Sequence, residues 1–469
     1  MAILAAYAVP HPPLAVPAVG RGREHEIQDT LDAYEDVARR IARHAPDTIV
    51  VTSPHALMYR DYFHVSPGSG ASGDFSRFGV WDADYEVDYD EPLVRELCRL
   101  ADEQDIPAGT LGNRMPELDH GTMVPLHFIQ AACEREGVCP RYVRIGLSGL
   151  PLEEHYRLGM AIAQAAHNLD RRVVMLASGD LSHKLLAEGP YGFAPEGPVF
   201  DEQVCAALGS GDFLALLSMD QEMCERAAEC GWRSFVIMAG ALDKTEVAPE
   251  LLSHEGPFGV GYGICAFELA GAEGACPARA FLSKYLQTKA SAAVAAHEGE
   301  DPLVALARAS LEAWVRERRR LAVPKLPAGL ADFPAACFVS LKKHGELRGC
   351  IGTLEPTQAS LAAEICSNAR SAGTRDPRFN PVRPSELDEL VYDVDVLGQP
   401  EEVASRDELD PKRYGVIVRD AYGRRGVLLP DLEGVDSVDY QLEIAARKGG
   451  IDLYDEGVRI ERFEVERHI

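Results

Sequence analysis

The 469-residue chain is poor in several features, and each shortage excludes a class of protein. Its 11 cysteines are odd in number and scattered, and none form a C-x-x-C pair. That argues against a disulfide framework, a zinc ribbon and a cluster-binding radical-SAM motif within the chain. A reducing, cytoplasmic setting is expected. No apolar run approaches the roughly 18 residues of a membrane span. No basic segment precedes the first apolar run, so no secretory signal is expected. Positive charge is scarce: 47 Lys and Arg against 74 Asp and Glu leave a net charge of −27. Such a surface repels phosphate backbones and anionic membranes, so binding to nucleic acid or membrane is not expected. Its simplest reading is solubility. Hydrophobic residues at 46% and charged residues at 26% are ordinary for a globular protein. At this length two or three cores are expected rather than one.

What is present is a repeated local pattern. His11 lies in Pro10-His11-Pro12-Pro13, directly after the apolar run Ile3 to Val9. His55 lies in Ser53-Pro54-His55, directly after Thr48 to Val51. His183 closes Ser178-Gly179-Asp180-Leu181-Ser182-His183, directly after Arg172 to Ala177. Each run is short, apolar and rich in β-branched or small residues, which reads as a buried parallel strand. Ligand sites of open α/β sheets gather outside the carboxyl ends of the strands. A late carboxylate, Glu255 in Ser253-His254-Glu255-Gly256, completes the pattern. Two neutral imidazoles and one carboxylate form the facial set that holds non-haem Fe(II) and leaves positions open. His254 and Glu255 are neighbours on an extended segment, so only one is expected to enter the site. Asp180 reads as the cap of a helix starting at Leu181, or as a carboxylate that fixes an imidazole tautomer, ahead of direct ligation. His44, His155 and His167 fall on polar helical stretches and are expected to be solvated.

These residues resemble the class III extradiol ring-cleavage dioxygenases, in particular their catalytic B-type subunit. The matching pieces are Pro10-His11-Pro12-Pro13, Ser53-Pro54-His55, Leu118-Asp119-His120-Gly121-Thr122, Ser178 to His183, and His254 to Tyr262. They follow the family's order over most of residues 1–270. The resemblance implies Fe(II) bound by His11, His55 and Glu255. It implies His183 as the catalytic acid/base, with His120 nearby in the pocket. Asp180 and His183 also reproduce the Asp-x-x-His of the Memo proteins, which share this fold. The expected catalytic residues are therefore His183, His120 and Asp180. The expected substrates are a catechol-like small molecule and O₂. Extradiol chemistry needs a base to take a proton from a substrate hydroxyl, and histidine titrates near working pH.

The second half carries Leu347-Arg348-Gly349-Cys350-Ile351-Gly352-Thr353, followed by Asp376-Pro377-Arg378-Phe379, Leu428-Leu429-Pro430 and Lys448-Gly449-Gly450-Ile451. This order is similar to the AMMECR-type domain. The pairing resembles the "AmmeMemoRadiSam" arrangement, which implies a radical-SAM protein as a partner. On an unbroken strand Arg348 and Cys350 share a face, and a guanidinium there would favour a thiolate. Burial of Cys350 is the plainer expectation. Gly349 and Gly352 mark close backbone approach or a bulge.

The expected layout is an α/β domain over 1–272, with a mostly parallel sheet covered by helices on both faces. A linker over 273–299 and an α+β domain over 300–469 follow. Strands are expected at 3–9, 48–53, 142–147, 172–178 and 259–268. Helices are expected at 24–44, 91–104 and 154–168. The Gly- and Ser-rich stretch 67–76 reads as a pocket cover or a surface hairpin loop. Gly271 to Ala275 and Ala290 to Ala296 flank the apolar segment Phe281 to Leu286. A hairpin is expected over Cys337 to Ile351, turning at His344-Gly345.

Overall fold

The computed structural model describes residues 2–469 apart from 82–83, 271–275, 299, 325, 328, 344–345, 433 and 456. The expected turn at His344-Gly345 and the stretch Gly271 to Ala275 therefore lie outside the described residues. Inter-residue contacts divide the chain into two compact units, Met1–Leu286 and Gln287–Ile469.

The first unit is built on a six-stranded sheet. Its strand order is Arg141–Gly146, Thr48–Ser53, Val173–Ser178, Ile3–Val9, Tyr262–Leu269 and Val247–Glu255. The first four run parallel and the last two are antiparallel. Alternate side chains serve opposite faces. Ala6, Val50, Val143, Met175 and Ala177 pack under one set of helices, among them Leu152–Asn168 and Trp232–Ala241. Tyr7, Val9, Ile49, Val51 and Leu176 pack under Gln28–His44 and His120–Glu136. Both faces are thus dry, which is why the strands read as continuous apolar runs.

Three features depart from the sequence reading. Val247–Glu255 is a strand, although Pro249 interrupts its pattern. It is the edge strand, where a missing N–H is tolerated. His155 is fully buried, with its ring edge-on to Phe63 at 4.7 Å, and is not solvated. The stretch 67–76 contains the strand Gly70–Gly73, paired antiparallel with Tyr85–Asp88. The segment read as a linker contains the helix Phe281–Glu298. Phe281 and Tyr285 of that helix are buried in the first unit's core.

The second unit is α+β. One antiparallel sheet runs Glu346–Gly352, Cys337–Lys343, Leu390–Leu397 and Val465–His468. A second runs Glu401–Glu402, Arg459–Phe463, Gly415–Arg419 and Arg425–Leu428. The helices Pro302–Glu317 and Leu361–Thr374 share a core with the first sheet, and Val438–Gly449 shares one with the second.

Candidate metal centre

Three adjacent parallel strands, Thr48–Ser53, Val173–Ser178 and Ile3–Val9, deliver His55, Asp180 with His183, and His11 to one end of the sheet. His120 arrives as the first residue of the helix His120–Glu136. The donor nitrogens of His11, His55 and His120 lie within 4.8 Å of one another. His11 Nε2 and His55 Nε2 face each other at 3.0 Å. The ring centroids of His55 and His120 are 4.0 Å apart. His11 is buried at the base of the cluster and His55 is exposed at its mouth.

The tautomer of His11 follows from one hydroxyl. Ser178 Oγ donates to the carbonyl of Gly121 at 2.5 Å. Its only hydrogen is then used, so its 2.9 Å contact with His11 Nδ1 must be donated by the imidazole. The Nε2 of His11 is left as a bare lone pair aimed at His55. Burial lowers the pKa of His11 and His55, and it lowers that of His120 to about 3. All three are neutral at neutral pH, the state that a metal requires of an imidazole. The donor set therefore fits a divalent transition metal.

Asp119 couples the two outer histidines. It caps the helix that His120 opens, accepting from Thr122 N at 3.0 Å. It also accepts from Ser53 Oγ at 2.5 Å, and Ser53 Oγ in turn receives the backbone N–H of His55. The Arg144 guanidinium lies 3.7 Å from Asp119 and is itself buried.

On the other side of His11 stand Asp180 and Cys230. Gly179 makes this possible, because a Cβ there would collide with the backbone of Gly231. Asp180 accepts the backbone N–H of His11 at 2.6 Å. Its second oxygen lies 3.8 Å from His11 Nε2. No helix begins at Leu181, so the capping role expected of Asp180 is replaced by this hold on His11. Burial raises the Asp180 carboxyl to about 6. Cys230 Sγ lies 3.6 Å from His11 Nε2, and with Asp180 the three form a second potential ligand group. Burial pushes the Cys230 thiol well up. Nothing in Glu229-Cys230-Gly231 marks that cysteine in the sequence.

His183 borders the cluster without joining its ligand group. Its backbone N–H goes to the carbonyl of Ala227 at 3.0 Å, and its ring stacks on Tyr191 at 5.1 Å. Burial lowers its pKa, and Asp180 partly offsets that. Glu255 is not among the clustered donors. Its carboxylate accepts from Thr30 N at 2.7 Å and so caps the helix Gln28–His44. Of the expected ligands His11, His55 and Glu255, the structure brings the two imidazoles together, with His120 beside them, while Glu255 holds Thr30 N. His254 turns to Asp201 at 2.9 Å, and Asp201 also holds the Ser182 N–H. Neither residue of the His254-Glu255 pair enters the cluster.

Residues 5–265 match the family described as the catalytic LigB subunit of aromatic ring-opening dioxygenase, and residues 304–468 match AMMECR1. The chain belongs to the LigB family, fused to an AMMECR1 domain. A protein of Clostridium acetobutylicum is 39% identical over 474 residues, covering 98% of each chain. A Thermotoga maritima protein is 51% identical over 172 residues, covering 36% of this chain and 98% of its own. An uncharacterized Pyrococcus horikoshii protein of known structure is 29% identical, with a TM-score of 0.33, over 35% of this chain and 88% of its own.

In the AMMECR1 domain, Cys350 is half-buried and burial raises its thiol pKa. Arg348 does not serve it, since its guanidinium pairs bidentately with Glu386 at 2.9 and 3.1 Å. Ser340 donates to the sulfur at 3.3 Å, and Asp376 accepts the Cys350 N–H at 2.9 Å. The close approach expected at Gly349 is present, because a Cβ there would collide with the Ala372 carbonyl. No helix among the described residues is long and apolar enough to cross a membrane.

Proposed function

We propose that the LigB-like domain is a non-haem Fe(II) oxidoreductase acting on a catechol-like small molecule with O₂. The iron would be held by His11, His55 and His120. The observation that carries this reading is the bare Nε2 of His11 facing His55 Nε2 at 3.0 Å, with His120 in the same group. Fe(II) held by these imidazoles would supply a Lewis acid and redox chemistry at this end of the sheet. His183, neutral and at the edge of the group, takes the proton from a substrate hydroxyl and later returns one. Asp180 keeps the His11 segment in place through its backbone N–H and lowers the cost of charge on His183.

The test is oxygen uptake by the anaerobically purified, iron-loaded full chain across a panel of catechols. His183→Ala should retain iron and lose about 10²–10⁴-fold in turnover. No uptake with any panel member would overturn the oxidative reading. Cys230 favours a second reading, because its sulfur, 3.6 Å from His11 Nε2, offers a soft donor in a second potential ligand group with Asp180. In that reading the metal site performs non-oxidative chemistry alongside a radical-SAM partner.

A further inference from the structure

Arg144 is 2% exposed and lies on the strand Arg141–Gly146, on the face that Tyr142 turns to an apolar core. Taking a guanidinium out of water is costly unless its N–H groups find partners. Here Nε donates to Ser66 Oγ at 2.9 Å, Nη1 to the Glu117 carbonyl at 2.8 Å, and Nη2 to the Met115 carbonyl. Nη1 also stands 3.7 Å from Asp119, whose side chain is buried too. Residues 111–119 contain no helix and no strand beyond one bridge between Ser72 and Glu117. They lead directly into His120, the first residue of its helix. A segment without regular structure must satisfy its carbonyls elsewhere, and Arg144 takes two of them.

Asp119 carries this placement across to a second segment. Its Oδ1 accepts from Thr122 N at 3.0 Å and from Ser53 Oγ at 2.5 Å, and its Oδ2 accepts from Thr122 Oγ1 at 3.0 Å. Ser53 Oγ in turn receives the His55 N–H at 3.2 Å. Gly121 lets the helix start and the strand end meet, because a Cβ there would collide with Ser53 Oγ. The rings of His120 and His55, 4.0 Å apart, therefore hang from two sides of one carboxylate. A buried ion pair is often replaced by well-packed apolar residues without loss of stability. Stability alone gives no reason for a guanidinium at this place.

We propose that Arg144 is a positioning residue of the histidine cluster: by holding Asp119 and the segment before it, the buried guanidinium fixes His120 and His55 relative to each other. The purpose of that arrangement rests on the metal-site reading above, and the arrangement itself rests on the hydrogen bonds alone.

The first arm of the test needs no metal. Amide hydrogen exchange is compared between the metal-free full chain and its Arg144→Met variant. Exchange at Thr122 and His55 should speed up about tenfold or more, the scale of losing a hydrogen bond to a charged group, while the helix Leu152–Asn168 keeps the parent rate. Faster exchange confined to 111–118, or spread evenly over the chain, would overturn the proposal. Where Arg144→Met does not fold, Arg144→Lys carries the same reading, since a single ammonium cannot reproduce the fork of a guanidinium. The second arm uses Co(II), a visible-spectrum probe of the site, in competition with a chelator. Arg144→Met should weaken binding about 10–100-fold, the loss usual for an outer partner of a metal ligand, and should alter the Co(II) spectrum. In an Asp119→Asn background the same substitution should change affinity by less than about threefold, because its effect passes through Asp119. Losses that simply add would show Arg144 acting by another route and would count equally against it. A parent chain that binds no Co(II) while the exchange results hold would strike the metal-site reading and leave the positioning role standing.

Discussion

Ser178 has a single hydroxyl hydrogen, and its use decides the state of His11. Replacing Ser178 by Ala should free the imidazole tautomer and weaken metal affinity by about 10–100-fold, as loss of an outer hydrogen-bond partner commonly does. A competition titration with a chelator reads this directly. His11, His55 and His183 were legible in the sequence because each follows an apolar strand-like run, so strand order places them together. Cys230 was not, because its nearness to His11 depends on Gly179 meeting Gly231 across the fold. His155 was misread because its polar neighbours in sequence face solvent while its own ring faces Phe63. Burial lowers its pKa to about 3, from an unfolded value near 6.5. Its contribution to stability is therefore complete above about pH 6.5 and is lost as pH falls toward 3. Between pH 7 and pH 5 the chain should lose about 2 kcal/mol from this residue alone. Urea unfolding at the two pH values checks this, and His155→Gln should flatten that part of the dependence.

At the scale of elements, the helix Gln28–His44 begins after Ile27, which has no side-chain oxygen to cap it. Glu255, on the edge strand, supplies the missing acceptor through Thr30 N. An apolar residue at the cap position was the available signal, but the donor from residue 255 is visible only once strand and helix are packed. Glu255→Ala should cost about 0.5–2 kcal/mol of stability, in the range of a lost cap, and leave metal content unchanged. Asp119 does the same job locally for the helix His120–Glu136, which the sequence reading did not include. Its second bond, to Ser53, joins segments far apart in sequence and was not legible either. In the AMMECR1 domain the strand Glu346–Gly352 is pressed against the helix Leu361–Thr374 at Gly349. Gly349→Ala should separate the two and lower the melting temperature, whereas Cys350→Ser should disturb the fold far less.

At the scale of the whole molecule, the alternation of strand and helix patterns made the α/β class of the first unit and the α+β class of the second legible. The antiparallel edge was not, because Pro249 and exposed side chains break its period. The division between the two units falls after Leu286, inside the segment read as the boundary and within the helix Phe281–Glu298. Phe281 and Tyr285 are 7% exposed and belong to the core of the first unit. Phe281→Ala should therefore destabilise that unit by about 3–5 kcal/mol, as large-to-small changes in cores do, and thermal unfolding of the full chain measures it. The central claim is that this fold gathers three neutral imidazoles into one candidate metal site and uses Glu255 to cap a helix. Iron content of the anaerobically purified full chain, measured by elemental analysis beside His11→Ala, His55→Ala, His120→Ala and Glu255→Gln, tests it most directly. The account predicts near-stoichiometric iron in the parent and in Glu255→Gln, and loss in each histidine variant. Loss of iron in Glu255→Gln with retention in His120→Ala would contradict it.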